Sequence, residues 1–223
     1  MITNTKNLYQ RLLNLEDEIL KLNNIVHALK ATDIQQYQQN YEELSINAAL
    51  RAERIACQLR GVVYIADAPN KAEYMALAAK AQGIHITLNH NILSIRLPGL
   101  LPKRKVHTNT AFLHEPLNFA IQEYLKNHNL QLYRNCVVCF SQIYDETMPL
   151  RRIRDHDNLE FKQILDTISA YVLVDDSGLF CDSYFTTELG NQDDTVVYVM
   201  DKSVFPNWVE GRKNDLKCIS EIS

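Results

Sequence analysis

The sequence predicts an α+β protein: a small mixed sheet carrying two helices, preceded by an N-terminal helical hairpin or coiled coil. Three observations lead there. The first sixty residues repeat apolar side chains at helical spacing. From about residue 84 the period changes to two, and two further helical stripes then interrupt the strand-like runs.

In the first region Leu8, Leu15, Leu22 and Leu29 recur every seven residues, with Leu12, Ile19 and Val26 between them, which is the apolar seam of a coiled coil. After Ala31, Thr32 or Asp33 is suited to cap a restarted helix. Ile34, Tyr37, Tyr41, Leu44, Ala48, Ala52, Ile55 and Leu59 carry its stripe toward Gly61. Two such helices with a short connection fold most simply as an antiparallel hairpin. The narrow seam suits plain core packing and a subunit or helical partner along residues 8–59 equally well. Residues 62–66 read as a short strand or a helix extension. Residues 69–82 form an alanine-rich third helix that opens at Pro69 and stops before Gly83. The boundaries expected are a helical region at 1–83, an α+β domain at 84–205 and a frayed polar tail at 206–223.

Within the second region the alternation predicts strands over 85–97, 131–144, 179–188 and 195–201, and helices over 115–127 and 158–169. A basic loop occupies 102–109, and VDDSG at 174–178 is a turn.

The formal net charge is -4, so a nucleic-acid role has to rest on local patches. Two exist: Lys103, Arg104 and Lys105, and Arg151 and Arg152 with Arg154. No apolar run reaches the length of a membrane span and the N-terminus lacks the apolar segment of a signal peptide, so a cytoplasmic protein without membrane contact is expected. Five scattered cysteines fit a reducing compartment. Cys136 and Cys139 lie three apart on a strand and point to opposite faces, which makes them core thiols rather than a zinc or redox pair. The chain has no glycine-rich phosphate loop, which weakens a nucleotide phosphohydrolase reading.

The chemistry concentrates in RDHDNLEFKQILD, residues 154–166. Asp155 and Asp157 are two apart, so in an extended segment they leave one face and converge, while Asp157 or Asn158 caps a helix whose apolar side is Phe161, Ile164, Leu165 and Ile168. His156 points the other way and is structural, and Asp166 is a capping or salt-bridge partner. Asp175 and Asp176 follow in the VDDSG turn. If that helix folds back on its sheet, the four carboxylates make a hard oxygen site of the kind Mg²⁺ or Mn²⁺ takes, suited to phosphodiester chemistry. Each piece alone also reads as an ordinary helix cap or turn.

Arg154-Asp155-His156-Asp157-Asn158, Lys162, Ile164-Leu165-Asp166 and Val174-Asp175-Asp176-Ser177 together resemble the signature of the RusA-type Holliday junction resolvases, over roughly residues 85–205. The resemblance implies a small dimeric Mg²⁺-dependent endonuclease acting on branched DNA in recombination and repair. It implies that Asp155, Asp157 and Asp176 are metal ligands, with Asp175 a fourth, and that Lys162 and Arg154 contact the scissile phosphate. The sequence departs from the family pattern where Lys162 stands five residues after Asp157 instead of four. LPGLLPKRK also lacks an asparagine, and LFCDSYFTTE a lysine, usual in the family. These departures support the alternative of a non-catalytic DNA-binding or adaptor protein on the same fold, assembling through its N-terminal coiled coil.

Overall fold

The structure, a computed structural model, describes residues 2–65, 71–101 and 111–216. The chain divides into two compact units, Met1–Lys71 and Ala72–Ser223.

The first unit is the expected helical hairpin. Helix α1 (Ile2–Ala31) and helix α2 (Gln38–Ile65) run antiparallel through a short connection, and α2 takes in residues 62–65 as a helix extension. Asp33 accepts hydrogen bonds from the backbone N–H groups of Gln35 and Gln36 at 2.8 and 3.3 Å, capping the single turn between the helices. Leu8, Leu15, Leu22 and Leu29 are buried or half-buried along α1, while Leu12, Ile19 and Val26 stay exposed. The hairpin therefore packs only one of the two rows of the heptad seam.

The second unit starts earlier than the sequence suggests. Helix α3 (Lys71–Ala81) belongs to it, because Met75 and Ala79 are buried and Ala79 joins the sheet's core. Gly83, at φ +83°, ends the helix: its N–H bonds Lys80 O and the next N–H returns to Ala79 O, a left-handed geometry glycine adopts without strain. The order then runs β1 (His85–Asn89), β2 (Ile92–Pro98), α4 (Ala111–Asn127), β3 (Cys136–Asp145), α5 (Lys162–Val172), β4 (Cys181–Gly190), β5 (Asp194–Asp201) and α6 (Phe205–Leu216). The five strands form one mixed sheet in the order β1-β2-β5-β3-β4, with β3 and β4 parallel and the other pairs antiparallel.

One face of the sheet packs Leu93, Ile95, Val138, Phe140, Val197 and Val199 against Leu117 and Ile121 of α4 and Ile164 and Ile168 of α5. Fully burying such side chains stabilises by about 1.5–3 kcal/mol each, so this cluster dominates the unit. Helix α6 covers the opposite face, so residues 206–216 are not the frayed tail expected, while 217–223 lie outside the described residues. Phe205 meets Tyr184 edge-on at 5.0 Å, Trp208 meets Tyr198 at 5.0 Å, and the Arg212 guanidinium sits 4.5 Å over the Trp208 ring. No helix among the described residues is long and apolar enough to cross a membrane.

Candidate functional site

Helix α5 carries the chain from the end of β3 to the start of the parallel β4. Asp155 and Asp157 precede this helix and Asp175 and Asp176 follow it. Eleven helical residues span about 16 Å, so the crossover sets the two acidic pairs at its opposite ends. All four carboxylates are exposed, and Asp155, Asp157 and Asp176 make no hydrogen bond or ion pair with the described residues. Among the described residues, no three His, Cys, Asp or Glu side chains group so as to hold a metal ion. The shared four-aspartate site expected from the sequence is therefore not assembled within this arrangement.

The first pair is also splayed. Asp155 is extended, at φ -64° and ψ 138°, but it leads into a 3₁₀ turn, His156–Asn158, that contains Asp157. Successive residues of such a turn are rotated by about 120°, so the two carboxylates do not share a face as they would on a strand. The expected cap at Asp157 or Asn158 gives way to Phe161, the N-cap of α5, which makes no side-chain cap bond. His156 explains the local shape. Its Nε2 lies 2.9 Å from Thr187 Oγ1 and its ring stacks on Phe185 at 5.9 Å, which anchors the turn to β4.

Lys162 is the first residue of α5 and pairs with Asp166 at 3.0 Å. The Asp166 carboxylate holds the Lys162 pKa above its ordinary value, with a smaller push the same way from Asp176. Asp175 sits below the ordinary carboxylate value because the Ser177 hydroxyl and N–H both bind it, the N–H at 2.6 Å. The basic residues part company. Arg151 is exposed. Arg152 is paired with Asp193. Arg154 donates from Nη1 to Leu101 O at 3.0 Å while its backbone N–H donates to the Tyr144 hydroxyl at 3.0 Å. Arg152 and Arg154 thus hold this end of the sheet together. Lys103, Arg104 and Lys105 lie outside the described residues.

A second polar region went unread in the sequence. An open cleft of about 800 Å³ is lined by His85, Arg96, Ile143, Glu188, Asp193 and Asp194 among others, and by none of the motif aspartates. Each of its three carboxylates is paired: Asp194 with Arg96, Asp193 with Arg152, and Glu188 with Arg212 and the Ser141 hydroxyl. Beneath it the buried Gln142 donates to Thr195 Oγ1 at 3.0 Å and accepts from the Leu101 N–H at 3.2 Å, tying the loop after β2 to the sheet. Arg152 and Asp193 stand 41 residues apart in the chain, and Arg96 and Asp194 stand 98 apart, so no local motif could have signalled them. The expectation of core thiols holds: Cys136 and Cys139 are buried on opposite faces. The neighbour of Cys136 is Cys181, directly opposite it on β4, and the interaction between the two adjoining thiols pushes Cys136 up and Cys181 down.

A comparison with curated proteins finds no match. Among solved structures, one from Salmonella typhimurium described as a candidate translation initiation inhibitor aligns at 10% identity over 53% of this chain and 88% of its own, with a TM-score of 0.24. A likeness that slight carries no argument about fold or activity. Over residues 4–223 the chain matches, and so belongs to, the family described as a family of unknown function (DUF6100).

Proposed function

We propose that the chain is a cytoplasmic, RusA-like nuclease acting on phosphodiesters of branched DNA through the two ends of α5. The observation that carries the reading is the ordered set Asp155, Asp157, Lys162, Asp175 and Asp176, which brackets one crossover helix with exposed carboxylates. Asp155, Asp157 and Asp176 are exposed and make no hydrogen bond or ion pair with the described residues, which leaves their oxygens accessible to a ligand. Arg151 is an exposed cation at this end and is assigned to phosphate contact, together with Lys103, Arg104 and Lys105.

Mg²⁺ or Mn²⁺ belongs to this proposal as an expected cofactor, since carboxylate oxygens are its preferred donors. With no third His, Cys, Asp or Glu grouped beside any pair among the described residues, the donor set is incomplete for a self-contained ion site, and no step is routed through a metal.

The test is a labelled four-way junction incubated with the full chain and Mg²⁺. Cleavage by the wild type and its loss of at least about 100-fold in Asp155→Asn, with junction binding retained, is the expected outcome. A wild type that neither cleaves nor binds sinks the reading. One that binds but never cleaves supports the second reading, a non-catalytic adaptor, which the exposed apolar row along α1 favours.

A further inference from the structure

The hairpin has one polar and one apolar side. Glu18 pairs with Arg51 at 2.7 Å, and with Arg54 at 3.9 Å, beside the α1–α2 seam. At about 100° per residue, Leu12, Ile19 and Val26 fall on the other side of that seam, and the antiparallel course of α2 brings Ala52, Ala56 and Leu59 to the same side. Leu12, Ile19, Val26 and Leu59 are between 42% and 51% exposed, and the two alanines are exposed as well. A row of large side chains beside a row of alanines makes a ridge and a groove, the surface two helix pairs use to pack on each other.

We propose that this face packs on the same face of a second copy, forming an antiparallel four-helix bundle about a two-fold axis that crosses α1 near Ile19. A two-fold interface requires a patch that complements itself. Rotation about that axis sets Ile19 against Ile19 of the second copy and Leu12 against its Val26, the three being spaced by seven and symmetric about position 19. On α2 it brings Glu42 toward Arg60 of the second copy. No like charges meet, and the acidic and basic ends of the face interleave. That match selects a second copy over an unrelated helix. Area argues the same way. Only Leu15 and Ile55 of the described hairpin side chains are buried, far less than a helical unit of this size needs to hold its shape alone. The exposed rows offer several hundred Å² per copy, which doubled across a two-fold contact approaches the roughly 1,000 Å² of a specific interface. The inference rests on the hairpin alone and stands whether or not the protein cuts DNA.

The full chain is measured by sedimentation equilibrium. A mass of twice 25.7 kDa is expected for the wild type. Ile19→Glu raises the dissociation constant by roughly 100-fold, while Leu50→Glu, on the outer side of α2, leaves it unchanged. Circular dichroism shows whether each variant keeps its helices. Should Ile19→Glu fail to fold, a cysteine placed at position 19 or 50 in a Cys57→Ser, Cys218→Ser background, where Cys136, Cys139 and Cys181 are buried, decides the matter: Ile19→Cys forms a disulfide-linked dimer under mild oxidation and Leu50→Cys does not. A monomeric wild type, a dimer indifferent to Ile19→Glu, or equal cross-linking from both positions overturns the proposal.

Discussion

The two units carry equally regular apolar patterns in sequence but close them to different degrees. In the sheet unit, alternate residues of β2, β3 and β5 bury fully against α4 and α5, and Ile95, Phe140 and Val197 lose all contact with water. In the hairpin, a seam of seven apolar residues on α1 buries only Leu15. The difference lies in geometry. A sheet face meets two helices at once and covers a broad area, whereas a single helix covers only a narrow stripe of its neighbour and leaves the second row of the heptad open. Periodicity therefore locates elements with equal success in both units, yet says little about how much of each pattern is satisfied within one chain.

That contrast can be broken by substitution, beginning where the effect is largest. Phe140→Ala, at a fully buried position touching Phe161 and Phe185, costs about 3–5 kcal/mol in urea unfolding. A loss below about 1 kcal/mol would mean that the sheet face is no tighter than the hairpin. Gly190→Ala comes next, because a Cβ there lies 2.7 Å from Ile143 Cγ2 and either that side chain or the strands have to shift, at a cost of about 1–3 kcal/mol. Ile143→Ala in the same background recovers most of that loss if the clash is its cause.

A smaller effect follows from pH. Burial pushes the Cys139 thiol up to about 12 from 9.0. The folded chain then holds this proton more tightly than the unfolded chain, so the contribution is complete below about pH 9 and falls as pH rises toward 12. The slope is about 1.4 kcal/mol per pH unit, and Cys139→Ala flattens that part of an alkaline stability curve. The smallest expected change is Leu50→Ala on the outer side of α2, where the side chain is 60% exposed: within about 0.5 kcal/mol. A larger loss there would show that the hairpin's outer side is covered in solution.

Much of this fold was legible because its signals are local. The switch from a helical period to alternation marks β1 and β2, and the stripe of Ile164, Leu165 and Ile168 marks α5. Helix α6 was missed because polar residues outnumber its anchors, although Phe205, Trp208 and Arg212 sit at helical spacing and form its packed side. The unit boundary falls before alanine-rich α3, which looks in sequence like more of the helical region, and only the packing of Ala79 into the sheet's core assigns it to the sheet. At the candidate site the exposed carboxylates were found by residue type and spacing. Their convergence was not readable, because it depends on a parallel crossover that sets a whole helix between the pairs, and on a 3₁₀ turn that a two-residue spacing cannot distinguish from a strand.

The position of β5 has a consequence for how the molecule is made. It follows the other four strands of the sheet in the chain, yet it sits at the centre, between β2 and β3. During synthesis the β1–β2 hairpin and the β3–α5–β4 crossover emerge as two fragments with no strand pairing to join them, each with a bare edge exposed to the crowded cell. Only once residues 194–201 are free to fold does a single insertion zip the two halves into one sheet, so a chain that lacks them keeps both edges bare.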